Sequence, residues 1–164
     1  MPANPRGGCG QMGGPAASVR RQETVAVLGR RFVLLVEGPV PPGRYEIRVW
    51  EGVRWPWRRP YLRAPIRGRS IDEARERTLA VLHTYAALDR FRRMVEDVVR
   101  RVAPGAVVDV GEDARDVVIR LSGSYTLAVP LAVARDAVLD RDAPVERLRG
   151  VVQAHLEAYA RAHG

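Results

Sequence analysis

The side chains best suited to chemistry lie in a basic and aromatic segment, residues 44–69, which contains eight Arg, two Glu, three Trp and two Tyr. Guanidinium groups bind phosphate oxygens through paired hydrogen bonds, and flat aromatic rings stack on unpaired bases at about 1–3 kcal/mol per base. One interpretation of this segment is therefore a surface that contacts nucleic acid. The candidate residues are Arg44, Arg48, Trp50, Arg54, Trp55, Trp57, Arg58, Arg59 and Arg63.

A second interpretation of this segment needs no ligand. The Trp rings would cover the edge of a sheet, the Arg stems would lie over them as cation–π partners, and the remainder would be a solvated loop. All 27 basic residues of the chain are Arg, so a single Arg is weak evidence for phosphate binding. The segment also has neither an RNP-type signature nor a GxxG clamp. Exposure or burial of the Trp rings would separate the two interpretations.

No other residues have the spacing of a catalytic, metal or cofactor site. The chain contains no Lys, which both a P-loop and a Schiff-base mechanism require. None of the four Ser lies in GxSxG. His83 falls on the polar side of a predicted helix, and His155 falls in an apolar stripe, where we expect it to be packed in the core. We therefore predict no catalytic residue, no metal and no cofactor. The sequence favours a binding module over an enzyme.

The densest acidic group indicates a turn rather than an ion site. Asp109, Glu112, Asp113 and Asp116 surround a predicted hairpin turn, where Asp is common because its carboxylate accepts hydrogen bonds from nearby backbone N–H groups. The DxDxDG pattern of a calcium loop is absent. Turn formation is thus the expected role of these residues.

Length and composition indicate one folded domain with an uneven charge. The chain has 164 residues, of which 46% are hydrophobic and 28% charged, enough to close a single core. The formal net charge is +8. Residues 1–69 hold 13 Arg against four acids, and residues 70–164 hold 14 Arg against 15 acids. The positive excess therefore belongs to the first 69 residues, which supports an acidic partner but says nothing of the fold.

The pattern also predicts the compartment. Cys9 is the single cysteine, so no intramolecular disulfide can form, and the Gly- and Pro-rich start lacks the apolar stretch of a signal peptide. The longest apolar run, residues 127–134, is far shorter than the roughly 20 residues of a membrane helix. We expect a cytoplasmic protein without a membrane partner.

The elements that must position these residues follow from periodicity and turn residues. We expect a disordered tail over residues 1–22 and a single α+β domain over residues 23–164. Its antiparallel sheet would have about five or six strands, with helices on one face. The predicted strands are 25–36, as a hairpin or one bent strand near Gly29, and 44–51, 61–66, 106–110, 116–122 and 124–129. The predicted helices are 70–102, 131–139 and one that begins near residue 142.

The long predicted helix carries two apolar stripes. Ser70 and Glu73 have the spacing of a capping box at its start. The stripe of its second half is rotated by about 100° from that of the first half. We therefore expect either a break near residues 89–92 or a second half that packs against something other than the sheet, such as another subunit. The candidate oligomer interface consists of Leu88, Phe91, Val95, Val98, Val99 and Val102.

The two halves of the chain resemble each other weakly. Residues 71–86 and 145–160 agree at five of sixteen positions, which suggests a duplicated β-hairpin-plus-helix unit. Two functions remain open. The first is a non-enzymatic binding or regulatory module that contacts nucleic acid through its basic, Trp-rich segment. The alternative is a homo-oligomeric, most simply dimeric, protein-interaction module that uses the apolar stripe of residues 88–102.

Overall fold

The computed structural model describes residues 17–41, 43–52, 59–142 and 145–163. Contacts divide the chain into two compact units. The first unit comprises Met1–Val25 and Arg31–Thr78, and the second comprises Ala26–Arg30 and Leu79–Gly164. The single domain expected over residues 23–164 stays a prediction.

The first unit is built on a four-stranded sheet. Its strands are β1 (Val19–Val27), β2 (Arg30–Val40), β3 (Arg44–Glu51) and β4 (Ile66–Gly68), and they lie in the order β1-β2-β3-β4. Strands β1 and β2 form a hairpin, as one of the two alternatives predicted. Leu28 and Gly29 in its turn have φ of 49° and 78°, the pair of positive values that a two-residue type I′ turn requires.

One face of this sheet forms a core because β2 and β3 alternate in register. Val36 pairs with Ile47 and Leu34 pairs with Val49, and all four side chains are fully buried. The alternation predicted for β3 is therefore confirmed on its apolar face. Burial of these side chains contributes about 1.5–3 kcal/mol each to the stability of the fold.

Strand β4 is shorter than the sequence predicts. The expected strand over 61–66 is replaced by three residues that begin at Ile66, and antiparallel pairing joins Ile47 to Ile66 and Tyr45 to Gly68. Pro65 has no backbone N–H to donate to a neighbouring strand, so regular pairing starts only after it.

Helix α1 (Ile71–Val102) begins and ends where the sequence predicts, and it is not broken near residue 90. The backbone N–H of Glu73 donates to the Ser70 hydroxyl at 3.1 Å, and the Glu73 carboxylate accepts from the N–H of Arg69 at 2.6 Å. The capping box is thus confirmed, with the carboxylate bound one residue earlier than in the usual form. The N–H of Arg69 is also the main reason that the pKa of Glu73 is lowered.

The second unit has a sheet of its own. Strands β5 (Ala106–Glu112), β6 (Asp116–Gly123) and β7 (Leu131–Ala134) form an antiparallel sheet in that order, and α2 (Arg135–Leu139) and α3 (Val145–His163) follow. The α+β class is confirmed. A single sheet of five or six strands is not, since the seven strands of the described residues lie in sheets of four and three. The duplication is not confirmed either.

The stripe proposed as an oligomer interface lies in the core of the second unit. Phe91, Val98 and Val99 are 2% exposed and Val95 is fully buried, while Leu88 and Val102 are half-buried against the same core. The other fully buried members of this core come from β6 and α3: Val117, Ile119, Val152 and Leu156. The second half of α1 therefore packs against the chain's own second sheet. These six side chains already pack within one chain, so they do not form the exposed apolar face that an interface between copies would need.

The segment before β7 also differs from prediction. Residues 124–129 are not a strand, and β7 occupies residues predicted as the start of a helix. The Tyr159 hydroxyl accepts from the N–H of Ala128 at 2.9 Å and donates to the carbonyl of Thr126 at 3.2 Å. Backbone groups that a strand would use are thus bound by a side chain of α3, a contact that no local pattern reveals.

The acidic turn between β5 and β6 is confirmed. Asp113 Oδ1 accepts from the N–H groups of Arg115 at 2.9 Å and Asp116 at 2.8 Å. These two hydrogen bonds lower the pKa of Asp113 because they stabilise its charged form. Within the described ranges no three His, Cys, Asp or Glu side chains are grouped as metal ligands would be.

Candidate nucleic-acid interface

The structure places the candidate residues in two parts of the first unit. Strand β3 has one face toward the core and an opposite face, which we call the outer face. The outer face carries Arg44, Arg48 and Trp50. Arg59 and Arg63 lie in the connection between β3 and β4. The remaining candidates lie outside the described residues: Arg54, Trp55, Trp57 and Arg58.

Trp50 is packed and not exposed. Its side chain is 8% exposed and clusters with Val33 and Leu35 of β2, each 5% exposed. The register sets Val33 opposite Trp50 on the outer face. Strand β2 is apolar on both faces, so the outer face has a small apolar cluster of its own. Of the two arrangements left open by the sequence, Trp50 therefore has the packed one.

Four candidate arginines are exposed and lack a carboxylate partner. Arg44 and Arg48 of β3, and Arg59 and Arg63 before β4, are all exposed, and within the described residues none of them has an Asp or Glu oxygen within 4 Å. All 19 acidic residues of the chain fall in the described ranges. We call these four residues the arginine group. Their charges are not neutralised by an ion pair with any acidic side chain.

The acids of the outer face are already paired with other arginines. Glu37 of β2 lies opposite Glu46 of β3, an arrangement that repels when both carboxylates are charged. Arg20 Nε on β1 lies 3.1 Å from Glu37, and Arg67 Nε on β4 lies 2.6 Å from Glu46. Each edge strand therefore neutralises one of the two acids. The nearly buried Glu46 thereby has a charged partner. No acid of this face is left to neutralise the two arginines of β3.

Positive charge also surrounds the start of α1. The pKa of Glu73 is lowered first by its hydrogen bond from the N–H of Arg69, against an opposing effect of burial, and then by the charges of Arg77, Arg69 and Arg44. Arg44 is therefore close enough to influence this carboxylate, although it makes no ion pair with it. The start of β3 and the start of α1 therefore both place positive charge near Glu73.

A pocket in the second unit contains a histidine whose environment the sequence did not predict. His83 was expected on a polar helix face, but its Nε2 is buried without a hydrogen-bond partner among the described residues. The pocket wall opposite α1 comes from Ala26, Val27 and Leu28, more than fifty positions earlier in the chain. Helical periodicity alone could not reveal it. His155, by contrast, was expected in the core and is exposed.

None of the helices in the described ranges is both long enough and apolar enough to cross a membrane. No family model matches the chain, and comparison with curated proteins and with solved structures finds no significant match either.

Proposed function

We propose that this protein is a non-enzymatic binding module whose first unit contacts the phosphate backbone of nucleic acid. The observation that supports this function is the arginine group, four exposed guanidinium groups without carboxylate partners. Other exposed arginines include Arg77, Arg93, Arg100 and Arg120, which have such partners, and Arg101 and Arg147, which have none within the described residues. An unneutralised group is able to displace the counterions of a polyanion.

The packing of Trp50 favours contact with phosphates over stacking of this ring on bases. Because this ring is covered by Val33 and Leu35, it is not available for stacking on a base. Phosphate contacts position a protein on nucleic acid but carry no sequence information directly. The interaction we propose is therefore electrostatic and independent of base sequence, with Arg pairing to phosphate oxygens through two parallel hydrogen bonds.

Binding of a fluorescently labelled single-stranded oligonucleotide, followed by anisotropy at roughly 50 mM salt, tests this function. The variant combines Arg44→Gln, Arg48→Gln, Arg59→Gln and Arg63→Gln. We expect this variant to bind at least tenfold more weakly than the wild type.

A matched control removes the same charge from paired positions. It combines Arg77→Gln, Arg93→Gln, Arg100→Gln and Arg120→Gln, all exposed and each in an ion pair. We expect this control to retain most of the wild-type affinity. Equal losses in the two variants would mean that net charge alone governs binding, and absence of wild-type binding would reject the function.

A further inference from the structure

The pocket beside His83 has the composition of a site for a small organic anion. Its volume is about 280 Å³, near the lower end of the range typical of ligand pockets. Four apolar and two basic residues, all in the second unit, line it: Ala26, Val27, Leu28, Leu79, His83 and Arg141. No acidic side chain contributes to the lining.

His83 lines the pocket with an imidazole ring whose environment disfavours positive charge. Its Nε2 is buried, and within the described residues nothing hydrogen-bonds to it. Burial lowers the pKa of His83, and the nearby charges of Arg141 and Arg90 lower it further. The imidazole is therefore neutral at neutral pH.

The backbone that forms the opposite wall adopts an unfavourable conformation. Leu28 has φ of 49°, a region that bulky residues rarely adopt, and type I′ turns prefer Asn or Gly at this position. Leu28 nevertheless lines the pocket. Directly after the turn, Arg30 Nη1 lies 2.7 Å from the Asp89 carboxylate on α1, which fixes this wall against the helix that carries His83. Strain retained at a pocket wall is typical of binding sites.

We infer that this pocket binds a small carboxylate with an apolar body. The carboxylate would pair with the Arg141 guanidinium, close enough to the His83 ring to act on its charge, and the body would pack against the four apolar side chains. Inorganic phosphate fits less well because it would bring charged oxygens against those apolar walls. This inference does not depend on the arginine group, which belongs to the first unit.

Nuclear magnetic resonance of the His side chains in the full chain tests the inference with benzoate as the probe. His83→Gln assigns the His83 signals, and the exposed His155 serves as an internal reference. We expect benzoate to shift the His83 signals saturably and to raise the pKa of His83, because a carboxylate stabilises the imidazolium form. Neutral benzamide, of nearly the same shape, and inorganic phosphate should leave these signals in place.

A variant that removes the charge of Arg141 tests whether benzoate binds in this pocket. Arg141→Gln should weaken benzoate binding about tenfold or more, whereas Arg147→Gln, an exposed arginine outside the pocket lining, should bind as the wild type does. The inference is overturned if benzoate leaves the His83 signals unshifted, if benzamide shifts them equally, if phosphate competes, or if Arg141→Gln binds like the wild type. Because oligonucleotide binding is measured separately, failure here leaves the nucleic-acid proposal intact.

Discussion

Gly68 lies where β4 approaches the first turn of α1, and the lack of a side chain permits this approach. A Cβ at this position would lie 2.4 Å from the backbone N and 2.8 Å from the Cα of Ala74. Because backbone atoms cannot move aside as a flexible side chain can, Gly68→Ala should destabilise the protein by about 1–3 kcal/mol. Urea denaturation measures the change.

Gly150 provides the control for that substitution. It lies within α3, and a Cβ there would meet nothing within 4 Å. Gly150→Ala should stabilise the protein by up to about 1 kcal/mol, because Ala is the better helix former. Destabilisation by both substitutions, or by neither, would contradict the close approach at Gly68.

His83 predicts a specific dependence of stability on pH. Its pKa in the folded protein is lowered from 6.5, chiefly by burial, so the unfolded chain binds the proton more readily. The contribution of neutral His83 to stability is therefore fully present above pH 6.5 and is lost as the pH falls through the folded pKa. Wild-type stability should decrease over this window more than that of His83→Gln. His155→Gln, altered at an exposed histidine, should follow the wild type.

Local chemistry could be predicted at single residues, and environments made by distant segments could not. The cap formed by Ser70 and the turn formed by Asp113 require only neighbours in sequence, and both predictions are confirmed. The burial of Trp50 depends on its register with β2, and the pocket at His83 depends on residues 26–28. Neither relation is visible in a periodic pattern.

Helix α1 shows how an apolar stripe can be identified correctly and its partner incorrectly. Val95 is fully buried in the core of the second unit. Val95→Ala should therefore reduce the free energy of unfolding by about 1–3 kcal/mol through the cavity it leaves. Val107→Ala, at a position 61% exposed on β5, should change it by less than about 0.5 kcal/mol.

Light scattering measures whether Val95→Ala changes the molar mass of the protein in solution. If the stripe serves the core, Val95→Ala should leave the molar mass of the wild type unchanged. A wild-type dimer that Val95→Ala converts to monomers, with little loss of stability, would instead support the stripe as an interface between copies.

One hydroxyl group binds two backbone groups of the connection from β6 to β7. Tyr159 donates to Thr126 and accepts from Ala128 through its Oη, while its ring packs against Tyr125 at 5.7 Å between centroids. Tyr159→Phe keeps the ring and removes both hydrogen bonds. It should destabilise the protein by about 1–3 kcal/mol, and amide exchange at residues 126–128 should accelerate. Unchanged exchange there would show that the hydroxyl does not hold this connection.

Over the whole molecule, most elements could be predicted from sequence but their assembly into sheets could not. Alternation and turn residues indicated β2, β3, β5 and β6, and capping residues with a Pro-Gly stop indicated α1. Within each sheet only consecutive strands pair, and the division into sheets of four and three strands falls where α1 separates β4 from β5. Strand periodicity does not show whether the strands before and after a helix share one sheet. The rotation of the apolar stripe along α1 reflects the division, because the second half of α1 packs in the core of the second unit.

The distribution of charge is the whole-molecule property on which the proposed function depends. Residues 70–164 hold 14 Arg against 15 acids, and many of these arginines are in ion pairs. Exposed pairs of this kind contribute little to stability, typically less than about 1 kcal/mol each. No acid neutralises the arginine group of the first unit, and this group lies within the 69 residues that carry the positive excess of the chain.

The salt dependence of oligonucleotide binding tests this account most directly. Each arginine that contacts a phosphate releases counterions and so adds a fixed amount to the slope of log K against log salt concentration. For single strands, log K falls with log salt concentration by about 0.7 per contact, so loss of the four arginines should make the slope shallower by about 3. The variant lacking the four paired arginines should keep nearly the wild-type slope. An equal slope in the wild type and the arginine-group variant would contradict the account.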